Sequence, residues 1–269
     1  MNSARGLRTV GIVAVFVLFV LPAALMILGS LRDPTLIPER GIDLIPEYLT
    51  FDNYRNLSAF VPIWTFMRNS LVVVAIAVPV TVLVASWAGF AIARATPRVR
   101  RALIGVSLAA LMVPIMLVWV PRFVLFKWLG LLDSPWPLIA PALMATSPFY
   151  VLLFALVYSR IPKSLYEAAE IDGMSPLMIW RRVAFPLARP AAFAVAVLAF
   201  VWHWANFFDP LIYLSTTERF TLPLGLKGLS TLEPRLYPLL LAGAVVATVP
   251  ALVAFLASQR AFFRRTLEV

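Results

Sequence analysis

Ile161-Pro162-Lys163-Ser164-Leu165-Tyr166-Glu167-Ala168-Ala169-Glu170-Ile171-Asp172-Gly173-Met174-Ser175-Pro176 continues through Arg181-Arg182-Val183-Ala184-Phe185-Pro186-Leu187 to Pro190, between two long apolar runs. Its punctuation spells two short helices and a hinge. Pro162 blocks continuation of the preceding apolar helix, and Ser164-Leu165-Tyr166-Glu167 has the S-x-x-E form of a capping box, so a helix is expected over 165–172. Gly173 follows where a helix takes a left-handed closing residue, which glycine adopts at least cost. Ser175-Pro176 restarts a helix, serine as N-cap and proline in the first turn, and Pro186 ends it. Local chemistry leaves two readings open. Small Ala168 and Ala169 beside a capped carboxylate admit close approach by another protein; alternatively the hairpin lies in a membrane interface with Leu177, Ile179 and Trp180 in lipid.

The rest of the chain supplies a membrane setting. It is 62% hydrophobic and 13% charged, where a soluble domain carries about 25% charged residues. Six stretches hold no Lys, Arg, Asp or Glu: 9–31, 69–93, 102–121, 134–159, 190–208 and 236–259. Each has the roughly 20 residues a helix needs to cross the hydrocarbon. The first is too long for a cleaved signal segment and is expected to be retained. With no cysteine, disulfide and thiol chemistry are excluded. The expected fold is therefore all-α: one membrane domain over 1–269, with spans near 9–31, 69–93, 102–124, 136–159, 190–212 and 236–259 and the hairpin loop at 161–189.

The net charge of +10 reads as topology rather than as nucleic-acid binding. With both termini cytoplasmic, the inner segments hold 14 basic residues against four acidic ones, while the outer segments balance nine against nine. That asymmetry is the positive-inside pattern. The outer segment 32–67, with Pro34, Pro38, Pro46 and Pro62, is expected to lie on the surface as loops and short helices. Pro22, Pro79, Pro114, Pro141, Pro148 and Pro250 fall within spans, as ordinary kinks or as hinges.

Glu167-Ala168-Ala169, three residues, Gly173, nine residues, then Val183-Ala184-Phe185-Pro186 resembles the signature loop of ATP-binding-cassette importer permeases, with valine and phenylalanine replacing isoleucine and leucine of that pattern. Other pieces are similar to its carbohydrate branch, the maltose-type second permease: Asn53-Tyr54, Asn69-Ser70, Gly89-Phe90-Ala91-Ile92-Ala93-Arg94 and Gly130-Leu131-Leu132-Asp133. The resemblance implies that the loop is a coupling helix seated on a cytoplasmic ATPase, with Glu167, Ala168, Ala169, Gly173, Val183 and Pro186 at that interface. It implies a second permease as heterodimeric partner, two ATPase subunits that bind ATP and magnesium, and an extracytoplasmic substrate-binding protein. This chain would then be a multi-pass subunit of a bacterial or archaeal cytoplasmic membrane, in contact with lipid, with no cofactor of its own. The C-terminal tail lacks the Gly, Ala, Val and Lys richness by which the branch often touches the ATPase.

On an unbroken fifth span, Trp202, His203, Asn206 and Asp209 share one face at 100° per residue, which makes His203, Asn206 and Asp209 candidates for lining a pathway. The family often has Trp-Asn-Asp-Phe here; Trp204-Ala205-Asn206-Phe207 departs from it at alanine. His203 reads equally as a packing residue, and Trp202 and Trp204 as interfacial aromatics. Without a second histidine or any cysteine, transition-metal binding is disfavoured. Arg122 and Lys127 are expected to snorkel at the end of span three. The segment 213–235 reads as a plain surface loop or, by the resemblance, as a contact for the binding protein. No phosphate-binding G-x-x-x-x-G-K-[ST] loop, nucleophile–base cluster or H-E-x-x-H helix occurs, so covalent chemistry is not expected of this chain. The competing reading is an ion-coupled transporter with Asp209 or His203 as coupling group; a membrane-embedded enzyme has no constellation to support it.

Overall fold

The structure, a computed structural model, describes residues 2–33, 48–144, 147–230 and 236–266, with side chains from 8 to 256 within those ranges. Pro34, Pro38 and Pro46 of the outer segment, residues 231–235 and the C-terminal side chains lie outside them. In chain order the helices are α1 (Asn2–Ser30), α2 (Asp52–Phe60), α3 (Ile63–Arg94), α4 (Pro97–Leu111), α5 (Ile115–Trp128), α6 (Trp136–Leu143) and α7 (Pro148–Ser159). They continue as α8 (Lys163–Ile171), α9 (Pro176–Ile179), a π-turn at Trp180–Ala184, α10 (Phe185–Leu187), α11 (Arg189–Trp204), α12 (Phe208–Tyr213), α13 (Leu222–Ser230) and α14 (Tyr237–Thr266). Among the described residues there is no strand.

Four segments are each long and apolar enough to cross a bilayer: Arg8–Ser30, Ile63–Arg94, Trp136–Ser159 and Tyr237–Leu256. Two bent pairs bring the number to as many as six: Pro97–Leu111 with Ile115–Trp128 at 92°, and Pro176–Leu187 with Arg189–Trp204 at 81°. The expected third span is thus broken. Pro114 lacks an N–H and disfavours helix at Val113, so α4 stops at Leu111 and Pro114 stands extended at ψ 131° before α5. Pro148 likewise starts a helix, while Pro22, Pro79, Pro141 and Pro250 lie inside helices.

The expected fifth span is broken too. α11 has 16 residues, about 24 Å of rise, short of the roughly 30 Å hydrocarbon. The amide of Ala205 closes it onto the Val201 carbonyl at 3.0 Å. Asn206 then diverts the chain: its Oδ1 accepts from the Asp209 amide at 3.2 Å, a local turn that competes with helix continuation.

The chain divides into two compact units, each drawn from separated segments. In the first (Met1–Met67 with Leu222–Leu252), Asn53 is buried and donates to the carbonyls of Ser30 at 2.9 Å and Arg32 at 2.6 Å, satisfying acceptors orphaned where α1 ends. Ser30 Oγ shares a 2.6 Å hydrogen bond with the Tyr54 hydroxyl, and Arg32 donates to the Tyr237 hydroxyl at 3.1 Å.

The second unit (Arg68–Thr221 with Val253–Val269) has its core where α3, α7, the hairpin and α11 meet, around Phe90, Phe154, Tyr158 and Val195. Gly89 sets the α3–α7 spacing. A Cβ there would stand 2.8 Å from both the Ala155 nitrogen and the Val151 carbonyl oxygen, atoms of α7 backbone that cannot rotate aside. Gly89→Ala is therefore expected to lower stability by about 1–3 kcal/mol through overpacking. Gly105→Ala, where a Cβ meets nothing within 4 Å, is expected to leave it unchanged or slightly raised. Thermal unfolding of the two variants in detergent checks this; equal midpoints would contradict the close packing.

Candidate coupling surface and membrane pathway

The hairpin forms as two helices, but its first cap differs from expectation. α8 starts at Lys163 with Pro162 as N-cap, at ψ 133°, and the Leu165 amide bonds the Pro162 carbonyl at 3.1 Å. Proline's fixed φ begins the helix ahead of Ser164, which becomes a helical residue with no capping bond. The other end closes as expected. Gly173 sits at φ 75°; its amide reaches the Glu170 carbonyl and that of Met174 reaches Ala169, both at 3.0 Å. That pair of bonds is the Schellman closure. Ser175 Oγ caps the second helix by accepting from the Met178 amide at 3.4 Å.

The hairpin is fastened to the spans through polar groups. Ser86 Oγ of α3 shares a 2.5 Å hydrogen bond with the Tyr158 hydroxyl of α7 and accepts from Trp180 Nε1 at 3.0 Å. Tyr166 donates its hydroxyl to the Tyr158 carbonyl at 3.2 Å. Arg94, at the end of α3, pairs with Glu170 and lies 4.8 Å over the Tyr166 ring. Burial pushes the Tyr166 hydroxyl up to about 12 against the opposing pull of the Arg94 cation, so it remains a donor at physiological pH. Ile179 is buried and Trp180 half-buried, which overturns the interfacial reading that put both in lipid.

One face of α8 stays open. Tyr166 and Ala169 turn inward, each 4% exposed, so Ala169 packs within the chain and offers no surface outside it. Glu167, Ala168 and Gly173 are exposed, and Val183 and Pro186 are half-buried. On the helical wheel Glu167, Ala168 and Ile171 lie opposite the Tyr166–Ala169 edge, and Ile171 is 86% exposed.

The break at 205–207 separates the residues expected on one face of span five. His203 belongs to α11 and Asp209 to α12. Asn206 Nδ2 donates to Asp209 Oδ2 at 2.9 Å, while Asp209 Oδ1 stands 3.9 Å from Arg122 Nη1, a charge pairing too long for a hydrogen bond. Arg122 does not snorkel. Its side chain is 17% exposed, donates to the Pro137 carbonyl at 3.3 Å and lies 5.5 Å over the Tyr213 ring. Of the three pathway candidates, Asn206 lines a cavity of about 560 Å³, with Tyr150, Trp202 and Phe207 among its walls.

At the opposite end of α3, the segment 213–220 is pinned from two sides. Asp133, at φ 54°, accepts from the amides of Ser215 and Thr216 at 3.0 Å each and from Thr216 Oγ1 at 2.5 Å. Arg219 lies 3.8 Å away. These bonds, the Thr216 hydroxyl first, draw the Asp133 carboxyl down to about 2. Asn69 donates to the carbonyls of Glu218 at 2.8 Å and Phe220 at 3.0 Å.

A family described as binding-protein-dependent transport system inner membrane component matches residues 81–268, which include the whole hairpin. The chain belongs to this family. It is 34% identical over 259 residues to the arabinooligosaccharides transport system permease protein AraQ of Halalkalibacterium halodurans, covering 95% of this chain and 92% of that one. The lactose transport system permease protein LacG of Rhizobium radiobacter is 30% identical, covering 81% and 79%. The fold is that of a chain in the crystal structure of a bacterial ABC transporter involved in the import of the acidic polysaccharide alginate, with a TM-score of 0.80, 19% identity and 96% coverage of both chains.

Within this inner membrane component, sequence reading missed the roles of three residues that the fold makes prominent. Ile171, the outward anchor of the hairpin, was visible as the residue four beyond Glu167. Arg122, expected to snorkel, and Asp133, quoted as part of a family-like piece, carried no local signal of their partners, which lie 87 and 82 positions away in sequence. Asp133 yields a pH prediction. A carboxyl lowered in the folded state contributes stability fully present above its unfolded value near 3.9 and lost as pH falls through about 2. The protection of 213–220 against hydrogen exchange, relative to the intrinsic rate at each pH, is therefore expected to be unchanged from pH 7 to 5 and to fall only between pH 4 and 2. Asp133→Asn is expected to lower it at pH 7; protection unaltered in that variant would show that the carboxylate does not hold the loop.

Proposed function

We propose that this chain is one permease subunit of an ATP-driven importer for saccharides, and that the exposed Glu167–Ala168–Ile171 face of the hairpin receives a cytoplasmic ATPase. The observation that carries the reading is a hairpin bonded to α3 and α7 on one side and open on the other. Such a surface passes a push to the spans without deforming first. The relatives named above, permeases for arabinooligosaccharides and lactose, support a saccharide substrate. A second permease completes the pathway, two ATPase subunits hold ATP and magnesium, and both termini face the cytoplasm, the side to which the basic residues fall. A binding protein docks at the other face near 213–220; a structural neighbour is described in complex with a pentasaccharide-bound periplasmic protein.

Gly173 supplies the left-handed turn, and Val183 and Pro186 shape the return of the chain to α11. Closure of the ATPases moves the hairpin and alternates access to the pathway. Asn206, Trp202 and Tyr150 offer an amide and aromatic faces, groups that suit a sugar ring, with His203 and Asp209 nearby in the chain. Of the two groups an ion-coupled mechanism could use, Asp209 is already engaged by Asn206 and Arg122, which leaves His203 alone.

The test is saccharide-stimulated ATP hydrolysis by the reconstituted complex. Gly173→Pro forces φ away from 75° and removes the amide that bonds the Glu170 carbonyl, and it is expected to abolish stimulation while the chain still inserts. Ile171→Asp alters an exposed side chain and is expected to weaken ATPase association about tenfold. Unchanged hydrolysis and assembly in both variants would sink the coupling role.

A further inference from the structure

A cavity of about 620 Å³ opens between the ends of three helices: α3 closes on it with Arg94, α7 with Ser159, and α4 begins on it with Pro97. Because spans terminate there, it lies at the level of the lipid headgroups. Arg94, Arg100, Arg101 and Lys163 line it against the carboxylates of Glu167 and Glu170. Glu170 is taken by Arg94. Among the described residues no carboxylate lies within ion-pair distance of Arg100, Arg101 or Lys163. The first turn of α4 adds to the excess. It carries no acidic residue and its N-cap Thr96 makes no capping bond, so basic side chains stand at the positive end of the helix dipole.

We propose that this cavity binds the phosphate headgroup of an anionic phospholipid, which bridges the α3–α4 elbow and the base of the hairpin. The proposal rests on the chain's membrane setting and not on ATPase docking. Charge complementarity calls for an anion, and the surroundings select a lipid over a soluble one. Ile104 and Ile161 form apolar wall beside the cations. α4 buries none of its residues, and Leu108 and Leu111, four and seven residues beyond Ile104 on the same helix face and 52% and 46% exposed, continue the apolar surface away from the cavity along the helix. A ligand with a phosphate at one end and acyl chains at the other matches both parts. Lysines and arginines at a membrane surface each strengthen binding of an anionic lipid about fivefold.

The purified full chain in detergent, exposed to equal phosphatidylglycerol and phosphatidylcholine, is read by native mass spectrometry and by thermal unfolding. Wild type is expected to retain phosphatidylglycerol about tenfold over phosphatidylcholine, and to unfold at higher temperature with it. Arg100→Gln/Arg101→Gln/Lys163→Gln is expected to lose both effects. Arg98→Gln, outside the cavity, and the conservative Arg100→Lys/Arg101→Lys are expected to keep them, which separates lost binding from lost folding. Equal retention of the two lipids by wild type, or an undiminished preference in the triple variant, overturns the proposal. Displacement of the lipid by millimolar inorganic phosphate also overturns it, by marking the site as one for a soluble anion.

Discussion

Ser86 Oγ is fully buried in α3, bonded at once to the Tyr158 hydroxyl on α7 and to the indole nitrogen of Trp180 in the hairpin. The three groups lie 72 and 94 residues apart in sequence, and each is surrounded by apolar side chains. A polar group deprived of its partner in such a place costs about 1–3 kcal/mol. Ser86 holds the other two, and displacing the hairpin alone would strand the Trp180 indole N–H while leaving the Ser86–Tyr158 bond in place. Gly89, one helical turn on, brings α7 backbone into contact beside this knot. α3, α7 and the hairpin are thus joined at one point by hydrogen bonds and close packing.

The same helix reaches the other side of its unit. At its start Asn69 holds the carbonyls of Glu218 and Phe220, and Asp133 holds the amides of Ser215 and Thr216. A rotation imposed at the Arg94 end thus has a path to the 213–220 loop through one continuous helix, which carries Pro79 within it. This gives a physical route between the two surfaces proposed as docking sites that requires no relay of small side-chain shifts.

What could be read in the sequence was whatever depends on neighbours in the chain. Gly173 announced its left-handed turn, Ser175-Pro176 its cap, and the uncharged runs their helices, because each is decided within a few residues. The capping box at Ser164 failed for a local reason as well: Pro162 supplied a start two positions earlier, and two adjacent start signals cannot both be used. Spans three and five appeared continuous because hydropathy does not register where a helix breaks. Pro114 and Asn206 broke them through backbone hydrogen bonding, without altering apolar character. Ala169 belonged to the motif as a letter, yet only the position of Phe90 and Tyr158 decides that this alanine turns inward. Arg122 and Asp133 found partners that no local pattern joins to them.

The groups that fix the two ends share one further property. The Tyr166 hydroxyl, near 12, stays protonated, and the Asp133 carboxyl, near 2, stays charged, so neither changes state between about pH 4 and 10. Both fastenings keep the same bonding through any proton gradient a cell maintains. Titrating these two anchors therefore does not start a conformational change in this unit. Contact with something outside the chain can, since an equilibrium shifts only by as much as a partner favours one state over the other. The open face of α8, with Ile171 standing clear of it, is where such a partner can bind without first breaking a bond that the fold depends on.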